Sequence, residues 1–199
     1  EAGGKMQYMC LISHEPRDEW IRVEDAKKAG VLALAHHGEF ADILFKKGRI
    51  EDIRDCLKQV RDAGLLVVVS THMPAVVEYV EEKNWDVDFY MTCVYERHRS
   101  EEDLKKMLGY VPIPVRELYL KEDPYRMYRV IQATDKPCLA FKILAAGRFC
   151  RYEKELELAF RQTFENIKPT DAVIVGMYPR YSDQVKEDAA LVRRFGGVL

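Results

Sequence analysis

The sequence predicts an α/β fold made of parallel β/α units, because short apolar runs alternate with longer segments of helical period. Strands that are buried on both faces of a parallel sheet form such continuous apolar runs. Six runs are predicted to be strands: residues 6–12, 31–35, 65–70, 87–94, 138–144 and 172–177. The spacing gives one β/α unit per strand, with a longer connection after the fourth strand.

The segments between these strands carry helix signals. Residues 51–63 place apolar side chains on one face and end at Gly64, which suits the left-handed position after a helix. Pro74 fits the first turn of the next helix. Further helices are predicted to begin at Asp123, Glu153 and Ser182.

The composition limits the class of protein. With 199 residues, 48% of them hydrophobic, and 31 basic against 33 acidic side chains, the chain is expected to be globular rather than disordered or disulfide-stapled. The lack of a basic run argues against nucleic-acid binding, and no apolar stretch approaches the ~20 residues of a membrane span. Five cysteines without a CxxC pair indicate reduced thiols and a cytoplasmic protein.

Two architectures accommodate strands of this kind: an open doubly wound sheet and a (β/α)8 TIM barrel. No glycine-rich fingerprint follows the first strand, which disfavours a dinucleotide-binding sheet. We therefore predict a single TIM-barrel domain over residues 1–199. Because a barrel typically takes ~250 residues and residues 1–4 lead directly into a strand, two N-terminal β/α units are expected to be missing. The edges left by that gap would need covering, for example by a homo-oligomer.

Polar residues gather at the carboxyl ends of the predicted strands, where β/α barrels place their chemistry. Four of the five histidines follow three successive strands: His14, His36, His37 and His72. Each single histidine is equally consistent with a local hydrogen bond, but their clustering favours at least one functional histidine. A divalent metal bound by His14, His37 and His72 is one hypothesis.

Lys142 lies within the apolar run of the fifth predicted strand, so its stem is expected to be buried and its charge needs a partner. A buried lysine suits imine or general-base chemistry. An ion pair with a carboxylate such as Glu96 explains the residue equally well. Both interpretations stay open.

Two loops near the end of the chain have features of an anion site. Residues 145–147 are small, which lets main-chain N–H groups approach an anion, and Arg148 adds a guanidinium. The loop after the sixth strand supplies Arg180 and a helix N-terminus. Loops after the last two strands are the usual phosphate site of barrels.

Several segments resemble those of the aldo-keto reductases. Residues 137–147 resemble the family's seventh-strand segment, and residues 32–36 resemble the fourth-strand segment that ends in its catalytic histidine. Residues 69–74 are similar to the fifth strand and the start of its helix. The resemblance covers nearly the whole chain and places it on barrel strands three to eight of a divergent branch.

The resemblance extends to the cofactor side of the family's site. It implies an NADP(H)-dependent oxidoreductase that acts on a small carbonyl or sugar-like substrate, with Phe141 stacked on the nicotinamide. The residues that it implies as cofactor-binding are Ser70, Thr71, Thr92, Phe141, Gly147, Arg148, Gly176, Arg180, Gln184 and Asp188.

The catalytic side of the family's site matches less well. His36 stands at the catalytic histidine and would polarise a carbonyl oxygen, whereas the third-strand lysine has no counterpart. Thr71 and Phe141 stand where the family has Asn and Tyr. The candidates for catalysis are His36, His37 and Lys142.

Three functions therefore compete. The first is the NADP(H)-dependent oxidoreductase, and the second is a non-redox barrel enzyme that uses a divalent metal or an imine at Lys142. The third is a non-catalytic scaffold. The fold does not decide between them. For either enzyme the expected partner is a small-molecule substrate, not a nucleic acid or a membrane.

Overall fold

The computed structural model describes residues 6–15, 20–113 and 118–197, so residues 1–5 lie outside the described part. The strands are β1 (Met9–Ile12), β2 (Ala33–His36), β3 (Leu66–Thr71), β4 (Phe89–Cys93), β5 (Cys138–Phe141) and β6 (Ala172–Ile174). The α-helices are α1 (Val23–Lys28), α2 (Gly38–Lys46), α3 (Arg54–Asp62), α4 (Pro74–Glu82), α5 (Glu101–Leu108), α6 (Asp123–Ala133), α7 (Glu153–Asn166) and α8 (Gln184–Phe195). None of the helices in these ranges combines the length and the apolar character that crossing a membrane requires.

The prediction of six parallel strands is confirmed. They form one sheet in chain order, from β1 at one edge to β6 at the other. In β1 and β2, Met9 stands opposite Ala33 and Ile12 opposite His36. In β5 and β6, Leu139 stands opposite Ala172. Most strands are shorter than the apolar runs that predicted them.

The prediction of a closed (β/α)8 TIM barrel is wrong. Among the described residues β1 pairs only with β2 and β6 only with β5, so the six strands form an open α/β sheet with two edges. A barrel closes only when every strand pairs on both sides, and the eight-stranded barrel needs two strands more. The assignment of this chain to barrel strands three to eight is corrected with it.

The chain divides into two compact units. Unit 1 comprises Glu1–Thr71 and Ala75–Met91, and unit 2 comprises His72–Pro74 and Thr92–Leu199. The single domain predicted from the sequence stays a prediction.

The interior of unit 1 lies between its strands and α3. Residues 67–69 of β3 are three consecutive valines with no exposed surface, as expected for a strand covered on both faces. Leu57 and Val60 of α3 are buried against this layer. Burial of one such side chain stabilises the folded state by roughly 1.5–3 kcal/mol. The chain leaves α3 through Gly64 at φ +78°, the left-handed conformation that its sequence position predicted.

The interior of unit 2 is formed by α6, α7 and β5. Met127, Ile131 and Phe160 have almost no exposed surface. The predicted fifth strand, however, ends at Phe141 and not at residue 144, because Lys142 has φ +59°. A left-handed residue cannot continue a strand. Lys142 therefore follows the strand and is half-buried.

Candidate acid–base site

The carboxyl ends of β1 and β2 bring two histidines of unit 1 into contact. The main-chain N–H of His14 donates to Nε2 of His36 over 3.3 Å, and Nδ1 of His14 lies 3.1 Å from the same nitrogen. The two rings are stacked, with their centroids 5.3 Å apart. Parallel pairing of β1 with β2 produces this contact, because it ends both strands at the same edge of the sheet.

These contacts determine where the imidazole protons lie. A main-chain N–H can only donate, so Nε2 of His36 is an acceptor and the neutral His36 ring carries its proton on Nδ1. Nδ1 of His14 is then the donor to His36, and the lone pair of His14 is on Nε2. The pair presents one basic nitrogen, Nε2 of His14.

His36 is kept neutral by its surroundings. It has no exposed surface, and its pKa is lowered to about 3, first by burial and then by the neighbouring rings of His14 and His37. The main chain of His37 opposes this shift as the smallest of the four influences. The main chain of His37 does not reach hydrogen-bond geometry with Nδ1 of His36. This nitrogen therefore has no hydrogen-bond partner among the described residues. His36 can therefore accept from His14 without taking up a proton itself.

His14 is the accessible member of the pair. Its side chain is 15% exposed, and Nε2 lies 3.9 Å from a carboxylate oxygen of Glu15, whose side chain is 63% exposed. His14 is therefore the partly exposed ring of the pair, whereas His36 is enclosed.

Three half-buried rings form a wall beside His14, which we call the aromatic wall: Trp20, His37 and Phe40. The ring centroids of Trp20 and His37 are 5.2 Å apart, and those of His37 and Phe40 are 5.4 Å apart. Phe40 in turn lies 6.2 Å from the His14 ring in an edge-on arrangement. The aromatic wall gives the site a largely apolar side.

A cavity of about 440 Å³ opens next to the carboxyl end of β1, and we call it the β1 cavity. It shares Glu15 with the His14 site and Trp20 with the aromatic wall. Its other lining includes the apolar side chains of Ile12, Ile21 and Val23. A volume of this order suits a small organic molecule.

Cys56 of α3 closes one side of the β1 cavity. Its thiol donates to the main-chain oxygen of Ser13 over 3.6 Å. Burial raises the pKa of Cys56 to about 11, so the group stays a thiol at neutral pH. Cys56 thus supports the turn that carries His14.

The start of α2 approaches β3 closely, and this approach positions His36 and His37. A Cβ on Gly38 would lie 3.0 Å from Oγ of Ser70 and 3.1 Å from the main-chain nitrogen of Thr71. One helical turn later the fully buried Asp42 accepts a hydrogen bond from the Thr71 hydroxyl. The helix is therefore held against the strand by both shape and hydrogen bonding.

We expect Gly38→Ala to lower the free energy of unfolding by about 1–2 kcal/mol, because the new methyl group meets strand backbone that yields only by moving α2. Urea denaturation measures this change. Glu39→Ala, at the exposed next position of the same helix, is the matched control and should leave stability almost unchanged. A Gly38→Ala protein as stable as the Glu39→Ala protein would contradict the close approach.

In unit 2, the predicted residues at the carboxyl end of β5 lie near one another. The ring of His72 is 5.5 Å from that of Phe141, and Nζ of Lys142 is 6.0 Å from the Phe141 centroid. Arg148 is exposed, and its guanidinium lies 4.2 Å from the centroid of the Tyr119 ring. His14 and His37, the other members of the hypothetical metal set, belong to unit 1.

The predicted cofactor residues after β6 use their polar groups within the loop. Gln184 accepts from the main-chain N–H of Tyr178 over 2.6 Å, and the exposed Arg180 lies 3.4 Å from the Tyr178 hydroxyl. Asp188 is buried in α8, and burial raises its pKa, with Glu187 adding to the effect. Gly176 and Gly147 are exposed.

The small hydroxyl residues that were predicted to bind the cofactor are buried. Ser70 and Thr71 of unit 1 and Thr92 of unit 2 are at most 3% exposed. Thr71 donates to Asp42, whereas Oγ1 of Thr92 has no hydrogen-bond partner among the described residues.

The chain matches no family model, no curated protein and no solved structure. The aldo-keto reductase resemblance, the NADP(H) cofactor and the oxidoreductase activity therefore stay predictions. Their description as parts of a TIM barrel is wrong, since the sheet is open.

Sequence reasoning singled out His14, His36 and His37 but missed Glu15, Trp20 and Phe40. Trp20 and Phe40 lie eight and four residues after the ends of β1 and β2, so no helical or strand period links them. The sequence signal that could have found them is their position after the carboxyl end of a predicted strand. Every residue shortly after a parallel strand is a candidate to line a site at that edge of the sheet.

Proposed function

We propose that this chain is a non-redox enzyme in which His14 transfers protons to and from a small-molecule substrate. The observation that carries the proposal is the hydrogen bond from Nδ1 of His14 to the buried, neutral His36, which leaves Nε2 of His14 as the basic nitrogen. His14 is the catalytic residue, and His36 is a positioning residue that acts through it.

The arrangement supplies what a general base needs. A hydrogen bond to Nδ1 holds the imidazole in one tautomer and one orientation, so that the other nitrogen faces the substrate. The acceptor is usually a carboxylate, but a histidine that resists protonation serves the same purpose without adding charge. The aromatic wall and the β1 cavity provide an apolar surface against which a substrate is oriented.

Elimination of 5-nitrobenzisoxazole tests the proposal, because a base removes its ring proton as the N–O bond breaks and a coloured phenolate forms. The probe is flat and uncharged, which suits the aromatic wall. We expect His14→Ala to lower kcat/KM for this reaction by at least about tenfold, since a positioned base contributes on the order of 100-fold or more. The measurement is the initial rate at several pH values.

Two changes at His36 separate positioning from folding. His36→Gln keeps an acceptor near the position of Nε2 and is expected to retain more activity than His36→Leu, which removes it. In His36→Leu the pH profile of kcat/KM should change as well, because His14 loses the acceptor that selects its tautomer. Equal elimination rates in wild type and His14→Ala would overturn the proposal. Identical pH profiles of kcat/KM in the two His36 variants would show that His36 does not position His14.

The predicted NADP(H)-dependent oxidoreductase is the competing function, and a titration with NADPH separates it from ours. NADPH binding that Arg180→Ala weakens would support the prediction of an oxidoreductase. We also propose that the protein is cytoplasmic. All five cysteines are free thiols, which suits a reducing compartment.

A further inference from the structure

We infer that the His14 site binds substrates with a primary ammonium group on a small apolar body. This inference rests on the proposed function, because it assigns a substrate class to the same site. It follows from the hydrogen-bonding pattern, the charge and the shape of the surface around Nε2 of His14.

Two groups in the described part of the site, His14 and Glu15, are hydrogen-bond acceptors. Nε2 of His14 carries a lone pair, and the carboxylate of Glu15 lies 3.9 Å from it. An ammonium group has three tetrahedrally arranged N–H donors, so one nitrogen between the two acceptors can donate to both. A single hydroxyl group has only one proton to donate, and a carboxylate ligand has none.

The surrounding charge favours a cation. Among the described residues that line the β1 cavity, Glu15 and Glu24 are acidic and Arg22 is basic, so acidic groups outnumber basic ones there. The faces of aromatic rings also attract cations, Trp most strongly, and the aromatic wall contains Trp20 and Phe40. An anionic ligand would be repelled by the Glu15 carboxylate.

The β1 cavity provides room for the rest of the ligand. Its volume is about 440 Å³, and Ile12, Ile21 and Val23 give it an apolar lining beyond Glu15. A ligand whose ammonium group lies at His14 and Glu15 could place an apolar ring or chain along this lining. A small aryl or alkyl amine combines these features.

Calorimetric titration of the full chain with benzylamine, benzyl alcohol and benzoate tests the inference. The three probes share one ring and differ in the group that would face His14. At about pH 8, where benzylamine is still protonated, we expect benzylammonium to bind at least about tenfold more tightly than benzyl alcohol. Benzoate should bind most weakly of the three.

Glu15→Gln should remove the advantage of the amine over the alcohol. The side chain is largely exposed, so the change is not expected to affect folding. Glu78→Gln, at an exposed position of α4, is the control and should preserve the advantage. Trp20→Leu, as a second variant, should weaken benzylammonium more than benzyl alcohol.

Equal affinity for the amine and the alcohol in wild type, no binding of any probe, or an advantage that survives Glu15→Gln would each overturn the inference. The elimination assay separates this failure from that of the proposed function. If wild type shows His14-dependent elimination but no preference for the amine, only the substrate class is wrong.

Discussion

Acidification from about pH 6.5 to about pH 4 is expected to lower the free energy of unfolding by roughly 3 kcal/mol through His36 alone. In the folded protein the pKa of His36 is lowered from 6.5 to about 3, mainly by burial. Between these two values the unfolded chain binds a proton that the folded chain excludes, so acid favours unfolding. The contribution is fully present above pH 6.5 and is lost as the pH falls toward 3.

Urea denaturation at several pH values measures this effect, with His36→Leu as the comparison. The variant lacks the ionisable ring and should lose less stability on acidification than wild type does, whatever its stability at neutral pH. Nitrogen-15 spectra of the imidazole rings provide an independent measurement, in which His36 should stay neutral, with its proton on Nδ1, down to about pH 4. Parallel stability curves for the two proteins, or a His36 ring that titrates near neutral pH, would contradict the assignment.

Removal of the Asp123 carboxylate is expected to lower the free energy of unfolding by about 3 kcal/mol or more, because it leaves a buried arginine without its main partner. Arg99 donates to both carboxylate oxygens of Asp123 through Nη1 and Nη2, and these two side chains are 4% and 0% exposed. Burial raises the pKa of Asp123, while Arg99 lowers it through a hydrogen bond and its charge. Glu96 lies 3.2 Å from Arg99 and compensates only part of the loss in Asp123→Ala.

The measurement is urea denaturation of Asp123→Ala in the full chain. Asp62→Ala removes the partner of Lys58 from an exposed ion pair and should change stability little, since both side chains are more than half exposed. Replacement of both buried partners, Arg99→Met with Asp123→Leu, should recover part of the loss, because no unpaired charge remains. If Asp123→Ala were no more destabilising than Asp62→Ala, the buried pair would not contribute to stability.

The fold could be predicted as far as local chemistry determines it. The valines at 67–69 require a strand covered on both faces, and Gly64 marks the end of the helix before it. Closure of the sheet could not be predicted in this way. It depends on whether the outer edges of β1 and β6 find partners, which the residue pattern within each strand does not encode.

The candidate site could be predicted only in part. His14, His36 and His37 were identified because each follows a strand, and parallel pairing places such residues at one edge. Their roles could not be assigned, since the sequence does not show which imidazole is buried. The family resemblance made His36 the group that touches substrate, but His36 is fully buried and His14 is the partly exposed ring.

The sequence by itself determined the α/β class, the six parallel strands and the edge at which the histidines lie, because apolar periodicity and glycine or proline signals act over a few residues. Only the tertiary structure decided that the sheet stays open, that Lys142 leaves its strand, and that His36 accepts from His14. The contact between His14 and His36 joins residues more than 20 positions apart, which a local residue pattern does not encode. Proton positions and pKa values follow from such contacts, and the chemistry proposed for this site follows from them in turn.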